Sequence, residues 1–160
     1  MTTEPARFET HRAMLLAGIR RHHAFADVPR DVPGQWREFN EMVGTIPGTV
    51  GHTSYGVICG ADMSRNTMEY MCAIEVASFD AVPAGVGRLR VPPDVLYAVF
   101  VHDGPIDGIR ATWDAVWRWL PGSGYRSANT PDWERYDERY DPATGTGVVE
   151  IWVPVEKADA

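Results

Sequence analysis

Two tryptophan-bearing amphipathic segments stand in matching places 77 residues apart, centred on Trp36 and Trp113, and each lies between an apolar run and a pair of strand-like runs. In the first half the run Ala13-Met-Leu-Leu-Ala-Gly-Ile19 reads as a strand, followed by Arg20-Arg21-His22-His23. Pro29 and Pro33 break the chain, and Val32, Trp36, Phe39 and Val43 then recur at helical spacing until Gly44 and Pro47. Residues 53–60 and 67–76 form a hairpin around the loop 61–66. A turn centred near Met63 and Ser64 makes Cys59 and Cys72 packing neighbours across the two strands.

The second half repeats this order. Extended runs at 87–91 and 96–102 are separated by Pro92-Pro93. After the turn Asp103-Gly104-Pro105, the residues Ile109, Trp113, Val116, Trp117 and Leu120 lie within about 100° of arc on a helix, which Pro121-Gly122 stops. Residues 133–140 and 148–155 read as a closing hairpin around Asp141-Pro-Ala-Thr-Gly-Thr-Gly147, where proline fixes φ and the glycines supply positive-φ positions. The period is too long for a solenoid, so the expected fold is α+β: duplicated βαββ halves sharing one mostly antiparallel sheet, with two main helices. Such a domain leaves a cleft between its halves, a natural place for a ligand. Tyr55 of the first half falls at about the position of Glu134 in the second.

Composition narrows the function. A chain of 160 residues, 44% apolar and 11% aromatic, is one ordinary folded domain, with a core over about 8–156. Fifteen basic against twenty-two acidic residues give a net charge of −7, and no basic run exceeds Arg20-Arg21, which argues against nucleic-acid binding by the chain itself. No apolar stretch reaches 18 residues, and Met1-Thr-Thr-Glu-Pro5 lacks the order of a signal peptide. The expected location is the cytoplasm, with no membrane partner. Two cysteines are too few for a disulfide framework, and five scattered histidines without His-x-x-x-His spacing argue against a metal site. Gly85-Val-Gly87 has no helix behind it to cradle a phosphate, and no Gly-x-Ser-x-Gly occurs. No cofactor is expected.

One carboxylate stands out. In 133–140 a two-residue period places Glu134, Tyr136 and Glu138 on one face and Trp133, Arg135 and Asp137 on the other, and it leaves open which face is covered. If Glu134 points inward, it lies among aromatic rings and needs hydrogen bonds or a cation to offset its lost hydration. If it points outward, Glu134-Arg135 and Glu138-Arg139 read as a salt-bridged surface. Trp113 and Trp117, like Trp36 and Phe39, are core residues by default; Tyr55 and Tyr70 combine a ring with a hydroxyl able to orient a ligand.

Several segments together resemble the GyrI-like small-molecule-binding family, the effector-binding domain of AraC-type and related multidrug-sensing regulators, which also occurs as stand-alone proteins. They are Ser54-Tyr-Gly-Val57, Met68-Glu-Tyr-Met-Cys72 with Glu75-Val76, Tyr97-Ala-Val-Phe-Val-His102-Asp-Gly-Pro105, Thr112-Trp-Asp-Ala-Val-Trp117 with Leu120-Pro121, and Trp133-Glu-Arg-Tyr-Asp-Glu-Arg-Tyr-Asp-Pro142 ending in Val149-Glu-Ile-Trp-Val-Pro-Val155. The resemblance implies the duplicated βαββ fold, an aromatic cleft, and a central glutamate, here Glu134, that meets cationic amphipathic compounds. It implies ligand contacts from Tyr55 and Tyr70, with Trp113, Trp117, Trp36 and Phe39 as further wall candidates. It carries three activities: capture of apolar, often cationic compounds as a drug sensor or sequestering module; hydrolysis of reactive cyclopropane compounds, with Glu134 as the catalytic group; and modulation of gyrase, or of a separate regulator, as a protein partner.

Overall fold

A computed structural model describes residues 3–159; Met1 and Thr2, which open the N-terminal stretch read above, and Ala160 lie outside that range. The chain divides into a central unit, residues 13–92, and a terminal unit made of the residues up to Arg12 and those from Pro93 onward. The first strand, β1 (Arg7–His11), belongs to the terminal unit.

The central unit runs β2 (Met14–Ala24), α1 (Val28–Met42), β3 (Thr49–Asp62), β4 (Thr67–Val76) and β5 (Gly87–Val91). Its strands pair antiparallel in the order β5-β2-β4-β3. The apolar run of β2 continues through the basic residues to Ala24, because the whole length pairs with β4, from Leu15 opposite Val76 to Ala24 opposite Thr67. Gly18 is required in it: a Cβ there would stand 1.8 Å from the Cys72 carbonyl oxygen. The helix begins earlier than its stripe suggests and passes through Pro33. Pro29 stands in the first turn, where a missing N–H removes nothing, but Pro33 removes one intrahelical hydrogen bond, a cost of about 3 kcal/mol that burial of Gln35 and Phe39 on the inner face of α1 offsets. Phe39 is fully buried in a core with Tyr70, Cys72, Ile74 and Val82, contributing about 1.5–3 kcal/mol. Gln35 also lies inside, where Nε2 donates to the carbonyls of Ile19 (2.9 Å) and Tyr70 (3.0 Å) and Oε1 accepts from His23 Nε2 (2.6 Å). The expected proximity of the two cysteines is corrected: Cys72 stands opposite Gly56, while Cys59 falls in a bulge between Ile58 and Gly60.

The terminal unit adds to β1 the elements β6 (Val95–Pro105), α2 (Ile109–Trp119), β7 (Tyr125–Ser127), β8 (Asp132–Tyr136), β9 (Tyr140–Asp141) and β10 (Thr146–Lys157). Its main strands pair antiparallel in the order β1-β6-β10-β8, and β7 and β9 also pair with β10. Each unit therefore places a borrowed outer strand first, then the first, third and second strands of a βαββ repeat. The duplication read from the sequence is a duplication of strand order.

The closing hairpin differs from its expected form, because its first arm breaks after Tyr136. Asp137 Oδ1 accepts from the backbone N–H of Arg139 (3.0 Å), and its carbonyl accepts from Tyr140 N–H (3.1 Å), so the chain turns there and resumes as β9. Gly147, at φ +137°, permits the close return, since a Cβ would meet the Arg139 carbonyl oxygen at 2.2 Å. Gly147→Ala is expected to cost on the order of 2–3 kcal/mol, and chemical denaturation measures this; an unchanged midpoint contradicts the backbone argument.

Candidate functional site

Register decides the side left open by the two-residue period. Trp133 pairs with Trp152 and Glu134 with Ile151, so the two residues lie on opposite faces of β8. On the tryptophan face, Trp133 and Trp152 stack at 5.6 Å, Tyr97 lies 4.6 Å from Trp133, and His11 meets all three rings edge-on or nearly so. Glu134 faces α2 instead.

Glu134 is 6% exposed. Trp113 Nε1–H of α2 donates to its Oε2 at 2.8 Å, and the Tyr136 hydroxyl of β8 donates to its Oε1 at 2.8 Å. Both donors are neutral, so they offset desolvation without cancelling the charge. The helix is held where this bond requires it. His102 on β6 donates from Nε2 to the Pro105 carbonyl (2.9 Å) and accepts at Nδ1 from the Thr112 hydroxyl (2.8 Å), one residue before Trp113. Trp113 is buried, whereas Trp117, one turn on, stacks on it at 5.7 Å and is 42% exposed. A default core assignment for Trp117 is therefore corrected: the pair leads from the carboxylate to solvent. Tyr136 in turn meets Tyr140 edge-on at 5.1 Å.

The arginines beside Glu134 in sequence serve other carboxylates, which corrects the expected charge alternation. Arg135 and Arg139 pair with Asp137 at 2.5 and 2.8 Å, and Arg139 and Arg7 pair with Glu150 at 3.3 and 2.9 Å. Hydrogen bonds from Arg139, against the cost of burial, bring Asp137 down to about 2. Burial works against ionisation of Glu150, but the hydrogen bonds of Arg7 and Trp152 prevail and hold it below the usual carboxylate range.

The other four sequence-predicted residues belong to the central unit. Trp36 Nε1–H donates to the Tyr70 hydroxyl at 3.2 Å and meets Phe39 edge-on at 5.7 Å. Tyr70, Phe39 and Tyr55 are buried, the last on β3 opposite Ala73. A groove of about 620 Å³ in this unit is lined by none of the seven; its walls include the Arg21–Glu38 ion pair and the His23–Gln35 hydrogen bond. Among the described residues no group of three or more His, Cys, Asp or Glu could hold a metal ion, and no helix is long and apolar enough to cross a membrane.

Sequence reasoning missed Asp132, two residues before Glu134. Burial, with a smaller contribution from the charge of Glu134, pushes its carboxyl up to about 7. The residue as a whole is half-buried, but Oδ2 is shut from solvent. Its folded pKa lies above its unfolded one, so its protonated form favours the fold below about pH 4, and that contribution is lost as pH rises toward 7. The advantage of Asp132→Asn in thermal midpoint over the wild type should accordingly grow from pH 4 to 7 and level off above; a pH-independent difference contradicts this burial.

Known proteins share this architecture. The family model for the GyrI-like small molecule binding domain matches residues 5–156. Among solved structures, SAV2435 bound to tetraphenylphosphonium superposes with a TM-score of 0.76 at 17% identity, covering 94% of this chain and 93% of that one. The EcmrR C-terminal domain gives 0.70 at 17% identity over 99% and 100% of the two chains. A hydrolase from Listeria innocua gives 0.55 at 10% identity over 98% and 94%. No curated protein matches significantly.

Proposed function

Since the chain belongs to the GyrI-like small molecule binding domain family, we propose that the small molecules it binds are apolar cations, and that Glu134 supplies the charge complementary to them. The observation that carries this reading is the buried carboxylate held by two neutral donors, with the Trp113–Trp117 stack leading out from it. SAV2435, a protein of the same fold, has a structure bound to tetraphenylphosphonium, a cation of this class.

Two contributions divide the recognition. Stacking on Trp117 and Trp113 supplies cation–π attraction and apolar burial, about 0.5–2 kcal/mol for a good contact. Glu134 adds attraction at a distance of several ångströms through partly desolvated protein, about 4 kcal/mol at 4 Å before desolvation is subtracted. The first contribution acts on neutral aromatic compounds as well; the second does not. Its donors also fix the carboxylate in one orientation, so little conformational entropy is lost when a cation arrives.

Glu134→Gln keeps the shape and removes the charge. Titration followed by tryptophan fluorescence should show tetraphenylphosphonium weakened at least tenfold, about 1.4 kcal/mol, while neutral triphenylphosphine oxide changes less than twofold. Equal losses for both compounds, or no loss for the cation, contradict the assignment.

A further inference from the structure

The duplicated halves carry one device twice and complete it only once. In the terminal unit His102, toward the end of β6, braces Thr112, the residue before Trp113, and both of its ring nitrogens are engaged, Nδ1 by the Thr112 hydroxyl and Nε2 by the Pro105 carbonyl. In the central unit His23, toward the end of β2, braces Gln35, the residue before Trp36, through Nε2 alone. Gln35 decides where the proton sits. The hydrogens of its Nε2 go to the carbonyls of Ile19 and Tyr70, so its Oε1 must accept, and His23 Nε2 must carry the hydrogen between them. The neutral ring then presents Nδ1 as an acceptor. No described residue bonds to that atom, and it is not sealed from solvent although His23 as a whole is 8% exposed.

His23 lines the groove of about 620 Å³ formed by β2 and α1, a volume suited to a small organic molecule. Most charges on its walls are matched, since Arg21 of β2 pairs with Glu38 of α1, and Asp31 pairs with Arg30 at 2.9 Å. Arg37 and Glu41, one turn apart on α1, also line it, and neither has an ion pair among the described residues. The Arg37 guanidinium lies against Gly34 of the groove wall, where a Cβ would stand 3.5 Å from its Nη2. A ligand of a single sign would meet one of these two groups as a like charge, whereas a molecule bearing both signs suits both. We infer that the groove is a separate small-molecule site for a free α-amino acid with an N–H donor in its side chain, such as glutamine. Arg37 takes the carboxylate, Glu41 the ammonium group, and Nδ1 of His23 accepts from the side chain. Bracing of the helix explains one nitrogen of His23, as His102 shows, and the amino acid supplies the partner of the other. The site lies wholly in the central unit and does not depend on Glu134.

The test is calorimetric titration of the full chain with L-glutamine and three relatives: N-acetyl-L-glutamine, which lacks the ammonium group, L-glutaminamide, which lacks the carboxylate, and L-methionine, of similar length without a side-chain donor. The wild type should bind L-glutamine about tenfold more tightly than either of the first two, the strength of a hydrogen bond to a charged group, and about threefold more tightly than L-methionine, that of a neutral one. Arg37→Gln should erase the preference over L-glutaminamide, and Glu41→Gln the preference over the N-acetyl compound. Both residues are exposed, so the fold should tolerate either change. In nitrogen NMR the Nδ1 resonance of His23 should move as L-glutamine saturates the protein, a shift that a purely structural histidine would not show. Failure to bind L-glutamine, a preference that survives in its variant, or an unmoved Nδ1 resonance overturns the inference. So does displacement of L-glutamine by tetraphenylphosphonium, which would put the amino acid at the Glu134 site instead.

Discussion

The hydrogen bond from the Trp113 indole to Glu134 is the contact on which the arrangement of the terminal unit turns. It fixes which face of β8 receives α2, and with that face the destination of every neighbouring side chain. Trp133, one residue away, must then join Trp152 and Tyr97 on the other side, and Arg135 is directed to Asp137. A one-residue slip of β8 would exchange a fully buried tryptophan for a carboxylate at both positions. The pairing of Trp133 with Trp152 guards against it, because two large stacked rings and a hydrogen-bonded acid are each suited to one side only.

Charge is sorted by the same alternation. Arg7, Arg135 and Arg139 gather with Asp137 and Glu150, where both acids are held below their usual range. Exposed ion pairs of this kind usually contribute little, but Glu150 is buried, and Arg7 binds it in a two-point contact that ties β1 to β10 across β6. Local arginines thus satisfy the carboxylates on one face. Glu134, on the other face, accepts from the neutral Trp113 indole and Tyr136 hydroxyl.

Much of this order was legible in the sequence because it follows from local rules. β4 and β5 lie where alternation and the bounding prolines put them, and the strand–helix–hairpin order read from the sequence recurs along the chain in both units, its strands pairing first, third, second. The break after Tyr136 was not legible, since it depends on Asp137 turning back to the Arg139 amide, and a run of alternating charged and aromatic residues reads equally well as a continuous strand. Nor could the sequence select the face of Glu134. A period of two is symmetrical, and the decision belongs to a donor 21 residues away on a helix.

Stability alone does not account for a buried acid at position 134. Replacing buried ionic groups together with their partners by apolar ones of similar volume is often neutral or stabilising, whereas an apolar side chain at 134 alone would take the acceptor from the Trp113 indole and the Tyr136 hydroxyl. The hydrogen bonds from Trp113 and Tyr136 reduce the cost of burying the carboxylate without removing its charge. Gly147 has the opposite character, since its lack of a side chain is dictated by the backbone beside it. A buried acid that the fold must support with the Trp113 and Tyr136 donors, and from which stacked tryptophans lead to solvent, accords with the binding role proposed for it. Under the proposed function these donors act twice, first by making the buried acid tolerable to the fold, and again by holding its oxygens in the orientation that an arriving cation would meet.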